Sequence, residues 1–283
     1  MNRDWRATLR LVTAPARMMP SFIIPGEAKC GTTSLYRYLT QHPEILPAQR
    51  KEPRTFVDYP GSRLRCASSY PLVTTGYLHS LKSGRRCVTG EATAEYLSRP
   101  WVAEAVAELA PTVKLIVLLR NPATRAVSDY QMLYERGLVD IDFETAVRRT
   151  LDWLQNPELS DLVDAASQNE HFYTRFVMRG LYARSLRPWI TRFSRQNILV
   201  LKSEDMFANP AEVVQKAFEH LGVRPWTIRS GDIKRKGVYT VKITPDILKR
   251  LAEFYEPYNL ELYDLLGMDF EWENENYVAA ARN

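Results

Sequence analysis

Short apolar runs alternate along this chain with longer stretches whose apolar positions recur every three or four residues. Phe22–Ile24, Cys87–Gly90, Val113–Leu119 and Asn197–Leu201 are compact runs bounded by turn formers and predict strands, with Glu44–Pro47 as a further short extended piece. Val113–Leu119 is the most continuous, as expected of a strand buried on both faces. Helical spacing covers 32–40 (ended by Gln41-His42-Pro43), 100–110, 122–135, 143–155, 171–193, 210–221 and 245–266, the last as one helix or two. Pro100 and Pro122 stand where a helix tolerates proline, in its first turn. The aromatic and Leu stripe of 143–155 and 171–193 reads as core packing. Residues 50–86 hold Pro53, Pro60, Gly61, Pro71, Gly76 and Gly84 without periodicity and read as a long irregular binding loop. Strands alternating with helices predict an α/β fold, a central, mainly parallel sheet flanked by helices, in three layers. Ligands of such sheets bind beyond the carboxyl ends of the strands. Residues 21–283 read as a single domain and 1–20 as a basic N-terminal arm or first helix.

Composition narrows the classes. The chain has 283 residues, 45% hydrophobic and 25% charged, with 38 Lys and Arg against 33 Asp and Glu, a net charge of +5. That balance favours anionic ligands. No RNA-recognition, zinc-finger or basic-zipper pattern accompanies it, so no nucleic-acid partner is expected. The longest apolar run, Leu115–Leu119, is too short to span a bilayer, so no stable membrane insertion is expected. The arm carries Arg3, Arg6, Arg10 and Arg17 but no continuous apolar segment of a secretory signal. Three cysteines (30, 66, 87) at unrelated spacings and four scattered histidines (42, 79, 171, 220) make neither a disulfide framework nor a metal site. A cytoplasmic protein without metal is the expectation. Nothing in the pattern specifies an oligomeric state.

The candidate chemistry starts at Gly26-Glu27-Ala28-Lys29-Cys30-Gly31-Thr32-Thr33. Two glycines at Gly-x-x-x-x-Gly spacing, after a strand and before a helix, make a loop that cradles phosphate with backbone N–H groups and a helix N-terminus. A nucleotide triphosphatase would carry Lys directly after the second glycine. Here that residue is Thr32, and the lysine, Lys29, comes two residues before Gly31. The cation is therefore aimed at a different part of the ligand, away from ATP and towards another phosphorylated nucleotide. Cys30 reads as a small residue where bulk would block the ligand. A second stretch, Leu118-Leu119-Arg120-Asn121-Pro122 through Ser128 to Tyr130, ends a buried strand on an arginine and starts a helix. Arg120 can fork onto a phosphate, and Ser128, about two turns on, adds a hydroxyl.

These motifs together resemble the sulfotransferases that use 3′-phosphoadenosine-5′-phosphosulfate (PAPS), in particular the heparan-sulfate type and its bacterial relatives. The resemblance extends from residue 22 to about residue 270 and implies a P-loop-like three-layer fold. Gly26–Thr33 is similar to the family's 5′-phosphosulfate loop, with Gly26, Lys29, Gly31, Thr32 and Thr33 as contacts, and Arg120 with Ser128 to its 3′-phosphate pair. Lys234-Arg235-Lys236-Gly237 resembles the late basic, glycine-containing loop that closes over the cofactor. Lys51-Glu52-Pro53-Arg54-Thr55-Phe56 resembles a Glu-Pro-His-Phe-Phe run that carries the catalytic base, and Gly90-Glu91-Ala92-Thr93-Ala94-Glu95-Tyr96 a Glu-x-Thr-Pro-x-Tyr-like run. The resemblance implies sulfuryl transfer from PAPS, without metal, leaving adenosine 3′,5′-bisphosphate. Lys29 would neutralise charge on the leaving group, and Glu52 would take the acceptor's proton, with Glu91 as the competing base or an orienting group. Arg54-Thr55 departs from the family's His-Phe. Lys51 and Arg54 would suit an anionic or polar acceptor, a small molecule or glycan.

Two other classes fit parts of the pattern. A P-loop kinase of a small metabolite would use ATP and magnesium, but Lys is absent from position 32 and no carboxylate is placed for the metal. A charge-driven anion-binding module would need its basic residues patterned, and here they are distributed.

Overall fold

The computed structural model describes residues 5–154, 174–229 and 243–274. The chain divides into two compact units, residues 1–119 with 186–234, and residues 120–185 with 235–283.

The first unit is built on a sheet of β1 (Phe22–Ile24), β2 (Ile45–Pro47), β3 (Val88–Ala92), β4 (Lys114–Leu119) and β5 (Ile198–Lys202). The strands run in the order β2-β3-β1-β4-β5, and every pairing is parallel. Side chains alternate across such a sheet. Phe22, Ile24, Ala92, Ile116, Leu118 and Leu201 pack into a core with helices α2 (Thr32–Leu39) and α12 (Pro210–Leu221). The alternate positions Ile23, Leu115, Val117 and Leu119 are fully buried as well, so both faces are covered and the strands read as unbroken apolar runs. Because the strands are parallel, their carboxyl ends share one edge. Ile24 lies beside Ala92 there.

Ahead of the sheet, α1 (Trp5–Val12) is tied down by Arg10, whose Nε and Nη2 donate to the carbonyls of Ser68 (2.7 Å) and Tyr70 (3.0 Å). The stretch expected to be irregular, 50–86, instead forms α3 (Thr55–Asp58), α4 (Arg63–Ala67) and α5 (Val73–Ser83). Its prolines and glycines lie between the helices or, as Gly76, inside α5, so turn formers masked short helices. β3 also runs two residues past the expected Gly90, which places Glu91 inside the strand. Helix α6 (Pro100–Leu109) follows, and α11 (Ser203–Ala208) leads into α12.

The second unit is helical: α7 (Pro122–Glu135), α8 (Phe143–Leu154), α9 (Arg175–Met178), the start of α10 (Tyr182–Ile190) and α13 (Pro245–Leu266). The predicted 171–193 helix is two helices from Thr174 onward, and its earlier part lies outside the described residues. The break falls at Gly180, where a Cβ would stand 2.6 Å from the Tyr255 ring. Residues 245–266 are one helix, containing Pro257. Fully buried Arg125 pairs with Asp129 at 3.0 Å and donates to the Phe176 carbonyl, and Tyr255 Oη donates to the Val177 carbonyl at 2.7 Å. These bonds fasten α7 and α13 to α9.

Candidate active site

The loop after β1 is fixed by backbone bonds. Glu27 N donates to Leu118 O and Leu118 N to Gly26 O, both at 3.1 Å, which stitches the loop to β4. Leu97 N donates to Pro25 O at 2.8 Å, and Ser203 Oγ to Cys30 O at 2.7 Å. Gly26 is required sterically, and Gly31 by its left-handed backbone with side-chain ends crowding it. A Cβ on Gly26 would lie 2.7 Å from Ala94 O, and one on Gly31 2.5 Å from Met206 Cε and 3.0 Å from the Phe207 ring. Gly31 has φ +88° and caps α2. Lys29 also takes a left-handed conformation, φ +68°, and is half-buried. The first helical bond of α2 runs from Leu35 N to Gly31 O at 3.1 Å. The amides of Thr32, Thr33 and Ser34 therefore have no acceptor within the helix, and the helix dipole adds positive potential there. Thr32 is buried and Thr33 exposed. Cys30 is fully buried, packed in the apolar core with Leu35 and Met206. Glu27, also fully buried, accepts from Ala28 N at 2.8 Å.

Glu52 stands at the same sheet edge. Its N–H donates to Ala92 O at 3.1 Å, and Ala92 ends the strand beside β1, so Glu52 is anchored one strand over from the loop. It has φ +56°, its side chain is 48% exposed, and Oε1 is 2.5 Å from Lys51 Nζ. Arg54, at φ +61°, is ion-paired with Glu95 and lies 3.4 Å from Asp58, while Arg99 reaches Glu95 at 2.9 Å. Lys51 and Arg54 thus each face a carboxylate.

Glu91 differs in every respect. It is fully buried, and its carboxylate accepts from three hydroxyls: Tyr70 at 2.8 Å, Thr93 at 2.7 Å and Tyr96 at 3.4 Å. Burial pushes its carboxyl up to about 7, against the opposing pull of those hydroxyls. Burial and the nearby Glu91 in turn raise the Tyr70 phenol and the Cys66 thiol. Sequence reasoning missed this hydroxyl set. Thr93 and Tyr96 were legible as part of a family-like run without a role, and nothing marked Tyr70.

In the second unit Arg120 is the residue after β4. Its Nε donates to Thr124 Oγ1 at 3.2 Å, and its carbonyl accepts from Tyr182 Oη at 2.7 Å. Asn121 caps α7 by accepting from the amides of Ala123 (3.0 Å) and Thr124 (3.2 Å). Thr124 and Ser128 are half-buried at i and i+4, flanked by buried Ala123, Arg125, Val127 and Asp129, so Thr124 and Ser128 share one face of α7. Thr124 was not anticipated, although its spacing of four from both Arg120 and Ser128 could have found it. Lys234, Arg235, Lys236 and Gly237 lie outside the described residues. Among the described residues no group of three or more His, Cys, Asp or Glu could hold a metal ion.

Residues 19–235 match the sulfotransferase domain family. Carbohydrate sulfotransferase 15 of Mus musculus is 28% identical, across 90% of this chain and 55% of that protein. Heparan sulfate glucosamine 3-O-sulfotransferase 3B1 of Mus musculus is 25% identical, across 92% of this chain and 66% of that protein. The chain thus spans about half to two thirds of the length of these relatives. A sulfotransferase from Alicyclobacillus acidocaldarius has a similar solved structure, with a TM-score of 0.66 and 27% identity, across 91% of this chain and all of the other. With the family model matched over residues 19–235 and a loop between β1 and α2 on a parallel sheet of this order, the chain belongs to the sulfotransferase family.

Proposed function

We propose that this chain transfers the sulfuryl group of PAPS to a hydroxyl or amine of an acceptor. One observation carries the reading: in the loop, two glycines stand where side chains would collide, Lys29 precedes the second, and three helix-start amides have no helical acceptor. That set suits a 5′-phosphosulfate, which needs amides for its phosphate and one cation near the bridging oxygen. Bound there, PAPS supplies the sulfuryl group, its S–O bond to the 5′-phosphate breaking as the acceptor's oxygen or nitrogen bonds to sulfur and adenosine 3′,5′-bisphosphate leaves.

The residues divide the work. Lys29 neutralises the negative charge that grows on the leaving phosphate, and the amides and hydroxyls of Thr32 and Thr33 hold that phosphate still. Arg120 and Ser128 take the 3′-phosphate, with Thr124 holding the guanidinium by its bond to Nε. Lys234–Gly237 is assigned to the donor by resemblance alone. Glu52 accepts the acceptor's proton: it is half-exposed at the carboxyl edge, whereas Glu91 is sealed beneath three hydroxyls and serves to fix the end of β3. The relatives named for carbohydrate and heparan sulfate glucosamine favour a glycan hydroxyl as acceptor. A reducing, cytoplasmic setting belongs to the same reading, the three cysteines being buried thiols.

Calorimetry and thermal shift with adenosine 3′,5′-bisphosphate test it. Ligand at 100 times its dissociation constant should stabilise the fold by about 2.7 kcal/mol. Lys29→Ala and Arg120→Ala should each weaken the binding. No stabilisation at millimolar bisphosphate would sink the proposal.

A further inference from the structure

Between Asp4 and Glu27 the chain has no acidic residue, and between Asp58 and Glu91 it again has none. The first gap holds Arg6, Arg10 and Arg17, and the second Arg63, Arg65, Lys82, Arg85 and Arg86. The fold brings these two acid-free segments together. Arg10 binds the carbonyls of Ser68 and Tyr70, Arg17 Nη1 donates to Tyr70 O at 2.8 Å, and Met18 N donates to Pro71 O at 2.9 Å. Helices α1, α4 and α5 are thereby joined through the turn that links α4 to α5.

These helices also carry exposed apolar side chains at helical spacing. On α1, Trp5, Leu9 and Val12 recur at i, i+4 and i+7, Trp5 being 66% and Val12 72% exposed, and no residue of the helix is buried. On α5, Val73, Tyr77 and Leu81 recur at i, i+4 and i+8, the last two 63% exposed. Leu64 on α4 and Leu78 on α5 are half exposed or more. The same helices and the turn after α5 carry exposed Arg6, Arg63, Arg65, Lys82, Arg85 and Arg86, with Arg6 over the Trp5 ring at 5.4 Å. A soluble surface rarely leaves so many large apolar groups in water without use.

We propose that α1, α4 and α5 form a docking surface for an anionic lipid bilayer, on which the protein lies without spanning it. The charge pattern selects this occupant. Apolar stripes enter the headgroup boundary while the cations stay with the lipid phosphates, the division of labour of interfacial helices. A second copy of the chain would bury the apolar groups but set two surfaces rich in Lys and Arg against each other in a two-fold interface. A soluble polyanion would satisfy the cations and leave the apolar stripes in water.

Co-sedimentation of the full chain with vesicles tests the proposal. The protein should pellet with phosphatidylcholine mixed with phosphatidylglycerol, and not with phosphatidylcholine alone, and added salt should release it. Leu9→Glu with Leu81→Glu should lower the partition at least about tenfold, and Arg85→Glu with Arg86→Glu should do so too. All four side chains are exposed, so the unfolding temperature should hold. Should a double variant lose its thermal transition, Val12→Ser and Tyr77→Ser read the same partition singly. Failure to pellet with either vesicle, or equal pelleting with both, overturns the proposal. So does dimerisation in ultracentrifugation with no vesicle binding, or tight binding of dextran sulfate that the Leu variants leave unchanged while vesicles bind weakly.

Discussion

The loop at 25–31 follows β1 and the segment at 51–58 is bonded to the end of β3, the neighbouring strand, yet the charged positions of the two are held differently. The loop is held by backbone: carbonyls and amides of β4 and of the 93–97 turn clamp it, and its glycines leave no room for a Cβ. The segment proposed for the acceptor side is anchored by Glu52 N on Ala92 O, by Phe56, whose N–H donates to Tyr96 Oη at 3.3 Å and whose buried ring packs edge-on against Tyr96, and by the ion pair Arg54–Glu95, with Lys51–Glu52 and Arg54–Asp58 as pairs inside it. Backbone clamping dictates residue type, because few residues fit the space or the dihedral. Ion pairs between half-exposed side chains dictate only charge, and loosely. A donor common to a family and an acceptor that varies between members would call for this division.

The strongest break in the comparison is kinetic. Glu52→Gln keeps the shape and removes the proposed base, and it should lower kcat about 10²- to 10⁴-fold while leaving bisphosphate affinity intact. Lys29→Ala should cost about 10²- to 10³-fold and also weaken the bisphosphate. Glu91→Gln is the control. Were Glu91→Gln to abolish turnover while Glu52→Gln stayed within tenfold, the base would be Glu91, and the acceptor would have to reach a carboxylate that is closed to solvent here.

The next largest effect is on stability. Burial raises the Glu91 carboxyl from 4.5 to about 7 in the folded chain. Between those values the native state keeps a proton that the unfolded chain has lost, so stability is full below about pH 4.5 and falls as pH rises to about 7. The loss is roughly 3 kcal/mol, and above pH 7 the contribution is flat. Glu91→Gln carries no such proton. Unfolding free energies from urea titrations at pH 5 and pH 8 should differ less in the variant than in the parent, by about 2.5 kcal/mol, since part of the loss has already occurred at pH 5. Equal pH dependence in both proteins would mean that the three hydroxyls hold the carboxyl near its ordinary value.

The same contrast explains what was legible in the sequence. The Gly26–Gly31 spacing, the displaced Lys29 and the strand ending at Leu119 could be read, because backbone geometry leaves a residue-type signature. So could the parallel sheet, from unbroken apolar runs such as Val113–Leu119. The helices within 50–86 could not. They are short, and the prolines and glycines around them suggested loop, while their stability comes from contacts distant in sequence, such as Arg10 on the Ser68 and Tyr70 carbonyls. Tyr70 was invisible as a Glu91 partner for the same reason, being 21 residues away. Thr124 left only a spacing signal, four residues after Arg120 and, within α7, four before Ser128 on the same face.

A smaller effect separates crowding from backbone conformation. Gly31→Ala adds a methyl 2.5 Å from Met206 Cε in a left-handed residue, whereas Gly61→Ala, also left-handed at φ +76°, meets nothing within 4 Å. Left-handed strain costs about 1–2 kcal/mol in each. Gly31→Ala should lose up to about 1–3 kcal/mol more, from overpacking. Thermal denaturation of the two variants measures the difference. Equal losses would mean that Met206 and Phe207 yield without cost, and that the loop is less tightly clamped than its neighbouring backbone bonds imply.

The smallest expected effect lies on the acceptor side. Arg54 has 42% of its side chain exposed, so its pairs with Glu95 and Asp58 should contribute under about 1 kcal/mol, and Arg54→Ala should shift the unfolding temperature by only a few degrees. Arg54→Gly loses the same pairs but relieves the left-handed residue at φ +61°. It should therefore be as stable as the alanine variant or more so, by up to about 1 kcal/mol. The pair of variants asks which force holds this segment. If alanine costs little and glycine recovers it, the segment is a loosely fixed platform whose charges can change with the acceptor. If alanine costs more than about 3 kcal/mol, the platform is as rigid as the donor loop, and the division between a fixed donor side and an adaptable acceptor side fails.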